Sequence, residues 1–315
     1  MVDVSKAFDV IVLNSHGVGQ YAYCDHMPVW GETLSVKNWH VAEDGGKGSN
    51  VTVALGRLGL RVAYIGKVGN DPWGDLGDKW MRDAGADTTY LYRTDEVSTG
   101  TGLILIGPDG RNTVIDGDSS AEKLTVGEVT AALDAMADSA YFVTGFEVPQ
   151  RISLAGARHA KSLGMVVALN PSPLPEEPMG RLDYVDYLFI NEVEGHYIAG
   201  LTEDDALDVA SLAAEVKKAY GVGNVVLTMG SEGACALTAE DEFFTVDPVR
   251  VEKVANTAGA GDGFMAATVF GLVSGKGLRE AMEWAVKYAA LTVTIDGTIP
   301  AYRPLAEVEA FIARL

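Results

Sequence analysis

The chain has 315 residues, of which 48% are hydrophobic and 22% are charged, a composition typical of a soluble globular protein. Its formal net charge of −20 argues against nucleic acid as a partner, because nucleic-acid binding needs clustered Lys and Arg. No stretch approaches the roughly 18 apolar residues of a membrane span, and the N-terminus lacks a secretory signal pattern. With Cys24 and Cys235 as the only cysteines, no disulfide framework is expected, which agrees with a cytoplasmic location.

Short β-rich segments alternate along the chain with amphipathic stretches of helical spacing. The predicted strands cover residues 9–13, 62–65, 140–143, 165–169, 187–190 and 225–228. The predicted helices cover residues 50–59, 126–137, 151–163, 203–220 and 277–294. This alternation predicts an α/β fold in one main domain, residues 1–315, with a mainly parallel sheet and helices on both of its faces.

Two segments interrupt this alternation, residues 16–44 and residues 99–116. The first has many aromatic and β-branched residues but no helical pattern, and the second predicts a hairpin with a turn at 107–110. Two such pieces can pair into a small second sheet, which would form a lid over a site at the ends of the main strands. A pair of separate surface hairpins is the alternative interpretation.

The most informative motif is Asn256-Thr257-Ala258-Gly259-Ala260-Gly261-Asp262, which directly precedes an apolar segment with helical spacing. Its two glycines allow a tight turn, so that successive N–H groups can point at one spot. At a helix N-terminus, such donors and the helix dipole together form an anion site. A carboxylate beside that site suits a general base that takes the proton from an attacking hydroxyl. The alternative is a glycine-rich helix start with an aspartate as its N-cap.

A second motif, Gly45-Gly46-Lys47-Gly48-Ser49-Asn50, opens the first predicted helix. Glycines before a helix permit a ligand to approach the backbone closely, and the Asn50 amide can hydrogen-bond hydroxyl groups. The motif lacks the spacing and the Lys-Ser/Thr ending of the common phosphate-binding loop. On its own it is a weak signal.

Taken together, the two motifs make the chain resemble the ribokinase-like (PfkB) carbohydrate kinases. Residues 45–59 (GGKGSNVTVALGRLG) are similar to the N-terminal signature of the family, and residues 256–267 (NTAGAGDGFMAA) to its C-terminal signature. Three segments between them also agree with the family pattern, in the same order: 168–171 (ALNP), 189–194 (FINEVE) and 228–233 (TMGSEG). The resemblance implies a three-layer α/β/α sandwich with a β lid, and transfer of a phosphoryl group from ATP, with Mg²⁺, to a sugar hydroxyl.

The resemblance also implies a role for individual residues. Asp262 matches the catalytic base of the family, and the backbone of Gly259, Ala260 and Gly261 matches its anion hole. The substrate-contacting positions correspond to Gly46, Lys47, Asn50, Glu147 and Asp262. The nucleotide-binding positions correspond to Asn191, Thr228, Gly230, Ser231, Gly233 and Gly261, and Glu194 corresponds to a residue that holds Mg²⁺ through water. For each of these residues alone, a cap, a turn or a solvated carboxylate is the alternative.

Members of the family also hold a monovalent cation beside the anion hole. The matching carbonyl groups here are those of Asn256, Ala258, Thr292, Ile295 and Gly297. Asn256 stands where aspartate is usual, and Ala301 stands where ribokinases often have serine. Both changes predict that activation by potassium is weak.

Another departure concerns the substrate. Aligned back from Gly31-Glu32, the family pattern expects Asn-x-Asp after the first strand, where this chain has Gly17-Val18-Gly19. In the family that aspartate holds two sugar hydroxyls, so its loss argues against ribose. The nearby residues His16, Tyr21 and His26 either face a different ligand or pack within the lid.

The leading hypothesis is therefore an ATP-dependent kinase for a sugar or sugar-like molecule, assembled as a homodimer through the lid. A nucleoside kinase of the same family is one alternative, because an aromatic-rich lid suits base stacking. A catalytically degenerate sensor is another, although the intact Gly-Ala-Gly-Asp run argues against it. A dinucleotide dehydrogenase would need G-x-G-x-x-G after the first strand, and the run 17–22 lacks the third glycine.

Overall fold

The computed structural model describes residues 6–41, 43–108, 112–201 and 207–315. Its strands are β1 (Val10–Leu13), β2 (Gly17–Tyr23), β3 (Lys37–Val41), β4 (Val62–Gly69), β5 (Asp87–Thr94), β6 (Gly100–Ile106), β7 (Asn112–Asp116), β8 (Tyr141–Gly145), β9 (Val166–Asn170), β10 (Tyr187–Asn191), β11 (Asn224–Thr228), β12 (Ala234–Leu237) and β13 (Phe243–Val246). Its helices are α1 (Gly46–Arg57), α2 (Pro72–Asp83), α3 (Val126–Ala135), α4 (Gln150–Ser162), α5 (Glu192–Ile198), α6 (Val209–Tyr220), α7 (Ala260–Val273), α8 (Leu278–Thr292), α9 (Thr298–Ala301) and α10 (Leu305–Ile312).

Nine strands form the main sheet, in the order β13-β12-β11-β10-β9-β8-β1-β4-β5. Neighbours from β11 to β5 run parallel, whereas β12 and β13 form an antiparallel edge. All six predicted strands belong to this sheet, so the predicted parallel α/β arrangement is confirmed.

Strand β1 shows how the sheet separates two apolar cores. Ile11 and Leu13 pack into one core with residues of α3, α4 and α6, whereas Val10 and Val12 pack into another with residues of α1, α7 and α8. Because alternate residues of a strand face opposite sides, a strand covered on both faces has to be apolar throughout. The helices thus form the two outer layers of the predicted sandwich.

Four further strands form a separate sheet in the order β3-β2-β6-β7. Strands β2 and β6 pair in parallel at its centre, and β3 and β7 are antiparallel outer strands. All four lie within the predicted segments 16–44 and 99–116, so the prediction of a small second sheet is confirmed. Its action as a lid stays a prediction. The hairpin turn predicted at 107–110 lies partly outside the described residues.

Sequence patterns did not predict β5, β12 and β13 of the main sheet, nor α2, α5, α9 and α10. Strands β5, β12 and β13 lie at the two edges of the sheet, outside the run of six neighbouring strands that the alternation predicted. Helix α2 does carry a start signal, because the Asp71 carboxylate accepts hydrogen bonds from the amides of Trp73 and Gly74 and Pro72 follows as the first helical residue. The helix predicted over 203–220 is α6, and residues 202–206 lie outside the described ranges. Within those ranges, no helix is long and apolar enough to cross a membrane.

Candidate active site

Polar residues gather at the carboxyl end of the main sheet, where β1 lies between β4 and β8. The chain leaves β1 toward β4 on one side and later returns to β8 on the other, and such a reversal opens a crevice beyond the strand ends. Ser15 follows β1 and Glu147 follows β8, and the two side chains are hydrogen-bonded across this crevice, 2.8 Å apart from Oγ to Oε2. The N-termini of α1 and α7 meet at the same place.

Helix α7 begins in a turn that only glycine can adopt without strain. Gly259 has φ +71°, and a Cβ atom there would collide with the side chain of Thr298. The Tyr302 hydroxyl donates a hydrogen bond to the Gly259 carbonyl at 2.9 Å, which fixes the turn. Gly261 differs, because a Cβ atom there would meet no protein atom within 4 Å. The amides of Gly261 and Asp262 donate to no group among the described residues, so an anion site is available at the helix start.

Asp262 lies in the first turn of α7 and is only 8% exposed. Its Oδ2 accepts a hydrogen bond from Asn50 Nδ2 at 2.9 Å, and its Oδ1 lies 3.3 Å from Lys47 Nζ. Both partners come from the first turns of α1, more than 200 positions earlier in the sequence. The fold therefore joins the two sequence motifs into one cluster, with a carboxylate held beside a helix N-terminus.

Glu147 completes this cluster from the end of β8. Its Oε2 accepts hydrogen bonds from Ser15 Oγ and from the amide of Lys47, each at 2.8 Å. Burial, with a smaller contribution from the Asp262 charge, raises the pKa of Glu147 from 4.5 to about 7, against the opposing effect of Lys47. The charge of Asp262 also raises the pKa of the Lys47 ammonium, which favours the charged form of the lysine. Lys47 thus stays protonated while Glu147 can titrate near neutrality.

The loop before α1 is held by close packing. A Cβ atom at Gly48 would collide with the Ser15 carbonyl, so the helix can approach the end of β1 only with glycine there. His16 is fully buried, and its Nδ1 lies 3.0 Å from the Gly45 carbonyl and 2.8 Å from Ser49 Oγ. Burial lowers the pKa of His16 to about 4, so the ring is neutral at physiological pH. It positions the loop and faces no ligand.

The residues predicted to bind nucleotide lie at the ends of β10 and β11. Asn191 and Glu194 form a reciprocal cap of α5: Asn191 Oδ1 accepts from the Glu194 amide at 2.8 Å, and Glu194 Oε2 accepts from the Asn191 amide at 3.0 Å. Thr228 ends β11, Ser231 lies in the exposed 3₁₀ turn Gly230–Glu232, and Gly230 and Gly233 both have positive φ. The charge of Glu194 contributes to the raised pKa of Lys47, so the α5 start lies close to the Asp262 cluster.

The residues of the predicted monovalent-cation site form a loop beside α7. Asn256 Oδ1 accepts a hydrogen bond from the Ala258 amide at 2.9 Å, and Asn256 Nδ2 donates to Asp296 Oδ1 at 3.3 Å. The carbonyl of Thr292 accepts from the Ile295 amide at 3.2 Å. Gly297 has φ +79° and donates its amide to Asp296 Oδ1 at 3.0 Å, while Ala301 is buried. The segments 256–258 and 292–297 thus lie side by side, with the carboxylates of Glu43 and Asp296 at their edge.

Comparison with known proteins matches residues 23–304 to the model of the pfkB family of carbohydrate kinases. The chain belongs to this family. The protein is therefore a carbohydrate kinase, an ATP-binding phosphotransferase that acts on an alcohol group.

Two curated relatives and one solved structure cover nearly the whole chain. Ribokinase of Staphylococcus aureus (strain COL) is 29% identical over 303 residues, which are 95% of this chain and 98% of that protein. Deoxyribokinase of Salmonella typhi is 29% identical over 306 residues, 97% of this chain and 99% of that protein. The structure of Arabidopsis thaliana ribokinase complexed with ribose and ATP matches with a TM-score of 0.86 at 25% identity, over 97% and 99% of the two chains.

This pfkB kinase departs from the family pattern where β2 begins. Gly17 and Gly19 offer no side chain, and the Gly17 amide donates to the Gly45 carbonyl at 3.1 Å. Among the neighbours that were considered as ligand contacts, His26 is bonded to Glu32 on the surface, 2.7 Å apart. Tyr21 instead faces the body, where its pKa is raised by burial and by the charges of Asp44 and Asp296, against the opposing effect of the Asn256 side chain.

Sequence reasoning missed two residues of the cluster, Ser15 and Asp44. Ser15 binds Glu147, and Asp44 Oδ1 accepts from Asn50 Nδ2 at 2.9 Å. A signal for Asp44 exists, since an acidic residue directly before a Gly-Gly-Lys-Gly run adds a charge at a place where ligands approach the backbone.

Proposed function

We propose that this kinase transfers the γ-phosphoryl group of ATP to a hydroxyl of a sugar or sugar-like molecule, with Asp262 as general base. The observation that carries the proposal is the placement of Asp262. Its carboxylate is held by Asn50 and Lys47 in the first turn of α7, directly beside amides that have no partner among the described residues.

In this proposal, the acceptor hydroxyl donates its hydrogen bond to Asp262. The carboxylate takes the proton late, as the new bond to phosphorus forms. The amides of Gly261 and Asp262, together with the start of the α7 dipole, stabilise the charge that spreads over the transferring group. The Ala260 amide of the predicted anion hole is engaged with the Thr257 carbonyl at 3.2 Å. Lys47 stays protonated and keeps the carboxylate oriented. Gly46, Asn50 and Glu147 would bind the remaining hydroxyls of the substrate.

The charges of the cluster support a neutral acceptor. Lys47 faces the carboxylates of Asp262, Glu147 and Glu194, all of which contribute to its raised pKa. An acceptor that already carries a phosphate or carboxylate would meet this excess of negative charge at short range. We therefore infer that the substrate is an uncharged polyhydroxy compound rather than a sugar phosphate or a sugar acid.

The nucleotide would bind along the ends of β10 and β11, at Asn191, Thr228, Gly230, Ser231 and Gly233, with its γ-phosphate at Gly261. Glu194 fits an indirect role toward Mg²⁺, because its Oε2 is engaged in the α5 cap and only Oε1 is without a partner among the described residues. Mg²⁺ commonly keeps several waters and binds one or two carboxylates together with substrate phosphates. Contact between the Glu194 carboxylate and the ion through a water molecule would agree with this usual coordination.

A nucleoside kinase of the same family is the second candidate. Tyr21 lies edge-on to His40, with ring centroids 5.6 Å apart, on the face of the small sheet that reaches Asn256. Aromatic rings at the edge of a site can stack on a base. Nucleosides therefore belong in any substrate screen.

We also propose that two copies associate through the small sheet, which acts as a lid over the site. Large apolar side chains of this region are exposed, among them Val29, Trp30, Trp39 and Ile115. Exposed apolar patches of this kind commonly mark association surfaces. Light scattering at tens of micromolar, roughly the range in which weak dimers dissociate, would show a dimer, and a monomer there would contradict the proposal.

The test of the catalytic proposal is Asp262→Asn in a turnover screen with ATP across pentoses, hexoses, polyols and nucleosides. The amide keeps the size of the side chain but cannot take the proton, so kcat should fall about 10²–10⁴-fold with ATP affinity nearly unchanged. Asp241→Asn, at an exposed carboxylate paired with Lys217, is the matched control and should keep full turnover. A D262N enzyme with more than about a third of the wild-type kcat would show that Asp262 is not the base.

A further inference from the structure

Asp44 adds a second carboxylate next to the proposed base. It lies between the small sheet and α1, directly before the Gly-Gly-Lys-Gly run. Its Oδ1 accepts hydrogen bonds from Asn50 Nδ2 at 2.9 Å and from the Gly46 amide at 3.1 Å. The same Asn50 nitrogen donates to Asp262 Oδ2 at 2.9 Å. One amide group therefore holds two carboxylates side by side.

The surroundings of Asp44 show that this carboxylate faces the site. Its pKa is raised, chiefly by burial and also by the charge of Asp262, while the Asn50 hydrogen bond opposes the increase. Asp44 in turn contributes to the raised pKa of Tyr21 on the small sheet and of Tyr302 behind the α7 turn. Asp44 thus lies among groups from the lid, α1 and α7.

Among the described residues, hydrogen bonds reach one of the two oxygens of Asp44. Both of its hydrogen bonds end on Oδ1, and none of the described residues donates to Oδ2. A loop that needed only a cap would be served by a neutral acceptor such as asparagine, without the cost of partly burying a charge. A buried carboxylate with one engaged and one available oxygen fits a ligand that brings its own donor.

The strand opposite offers no competing side chain. Gly17 begins β2, and its amide donates to the Gly45 carbonyl, so this glycine lies directly against the loop that holds Asp44. Gly17 and Gly19 supply no polar side chain on this side of the crevice. The acceptor for a substrate hydroxyl here must therefore come from another element.

We propose that Asp44 Oδ2 accepts a hydrogen bond from a substrate hydroxyl that neighbours the hydroxyl phosphorylated at Asp262. The inference rests on the proposed kinase function and narrows its substrate to compounds with two adjacent hydroxyl groups at the reacting end. The Asp44 and Asp262 carboxylates share the Asn50 amide as a donor, which brings the two side chains close enough to bind two nearby hydroxyls of one molecule. Asp44 thereby determines which sugar or polyol is preferred.

The test compares wild type with Asp44→Asn on the best substrate of the turnover screen and on its analogues lacking one hydroxyl each. Asparagine keeps an oxygen that can accept from Asn50 and Gly46, but it replaces the available oxygen by an NH₂ group. We expect KM of the best substrate to rise at least tenfold while kcat changes less than threefold. For one of the deoxy analogues, the wild type should lose at least tenfold in kcat/KM, and this penalty should disappear in D44N.

Asp241→Asn is again the matched control, because it removes the charge of an exposed carboxylate that is paired with Lys217 outside the cluster. It should leave KM and the deoxy penalties unchanged, and the unfolding temperature of D44N should equal that of wild type.

If D44N keeps the wild-type KM and all deoxy penalties, Asp44 does not select substrate and the inference fails while the kinase function stands. If D44N loses only stability, Asp44 is a structural cap and the inference also fails. A wild type that binds ATP but phosphorylates no compound of the screen would overturn the proposed function itself, and this inference with it.

Discussion

The two halves of the candidate site are built in different ways. In the acceptor half, buried side chains from distant segments bond each other: Lys47 with Asp262, Asn50 with Asp262, and Glu147 with the Lys47 amide. In the nucleotide half, the contacts are local, since Asn191 bonds Glu194 three residues on and the 230–233 turn is largely exposed.

This difference predicts what each half can do. A network that the fold assembles from several elements holds its groups in place before a substrate arrives, which favours chemistry. Caps and turns present backbone groups to a ligand, which favours binding of a nucleotide that is common to the whole family. Changes in the acceptor half should therefore alter kcat and substrate choice, and changes in the nucleotide half should alter mainly the KM for ATP.

The start of α7 allows the sharpest test, because two glycines of one turn have different surroundings. Gly261→Ala adds a methyl group where no protein atom is within 4 Å, so the fold should be unaffected. The methyl would lie where the phosphoryl group binds, so kcat should fall at least about 10²-fold, as after loss of an anion-hole donor. Thermal unfolding and steady-state kinetics of the same preparation measure both effects.

Gly259→Ala is the matched variant, since its Cβ would collide with Thr298 and its φ is positive. It should lower the unfolding temperature markedly. A G261A protein that is as unstable as G259A, or that keeps its turnover, would show that Gly261 serves the fold and not the anion site.

Ribose should be a poor acceptor. With glycine at positions 17 and 19, two or more hydrogen bonds to the sugar are missing, each worth about 0.5–1.5 kcal/mol. We expect a penalty of at least tenfold in kcat/KM for ribose against the preferred substrate. Ribose at the top of the turnover screen would instead mean that other groups, such as Asp44 and Tyr21, replace the missing contacts.

A smaller effect is expected from pH. With a pKa of about 7, Glu147 in the proposed site would accept hydrogen bonds from sugar hydroxyls as a carboxylate above neutrality and would lose that capacity as it is protonated. The kcat/KM for the sugar should therefore fall by up to about tenfold between pH 8 and pH 6. In Glu147→Gln this dependence should be absent, at a lower kcat/KM throughout, and an unchanged profile in E147Q would assign the titration to another group.

The raised pKa of Glu147 also makes the stability of the fold depend on pH. Because the folded-state pKa of Glu147 lies above its ordinary value of 4.5, the folded protein holds a proton that the unfolded chain releases. This contribution to stability is complete below about pH 4.5 and is lost as the pH rises through 7. E147Q should consequently gain stability relative to wild type as the pH rises.

Local signals predicted much of this site. The Gly-Ala-Gly-Asp run before an apolar helix identified the α7 start, and the glycine run before α1 identified Lys47 and Asn50. Both signals work because the geometry of a helix N-terminus depends on neighbouring residues only. Ser15 and Asp44 were missed because their roles depend on which distant elements the fold brings to one crevice.

In the nucleotide half, a sequence pattern was recognised but its meaning was ambiguous. Asn191 and Glu194 match the family motif, yet the same spacing is that of a capping box, and the structure does contain that cap. The spacing of Asn191 and Glu194 alone therefore cannot distinguish a nucleotide site from a helix cap. In the fold, the six interior strands from β11 to β4 were predicted well, whereas the edge strands β12 and β13 depend on pairing with neighbours that no local pattern reveals.

The loop of Asn256 lies beside both halves and carries the smallest expected effect. Two exposed carboxylates lie at this loop: Glu43, whose Oε2 approaches Gly297, and Asp296. Asp296 Oδ1 already accepts from Asn256 Nδ2 and the Gly297 amide. In the structure its bonded oxygen faces the loop, but solvent screens the charge.

Activation by potassium should therefore be weak. A monovalent ion held at this loop by carbonyl groups alone must compete with its own hydration shell, and the neutral amide of Asn256 stands where a carboxylate would balance the charge. We expect less than about threefold activation when potassium replaces a bulky inert cation at constant ionic strength, a change below about 0.7 kcal/mol. Asn256→Asp should increase the activation several-fold, because it places a carboxylate at the loop, whereas Asp296→Asn should change it little. Tenfold activation of the wild type would mean that carbonyl groups suffice, and its loss in D296N would assign the missing charge to Asp296.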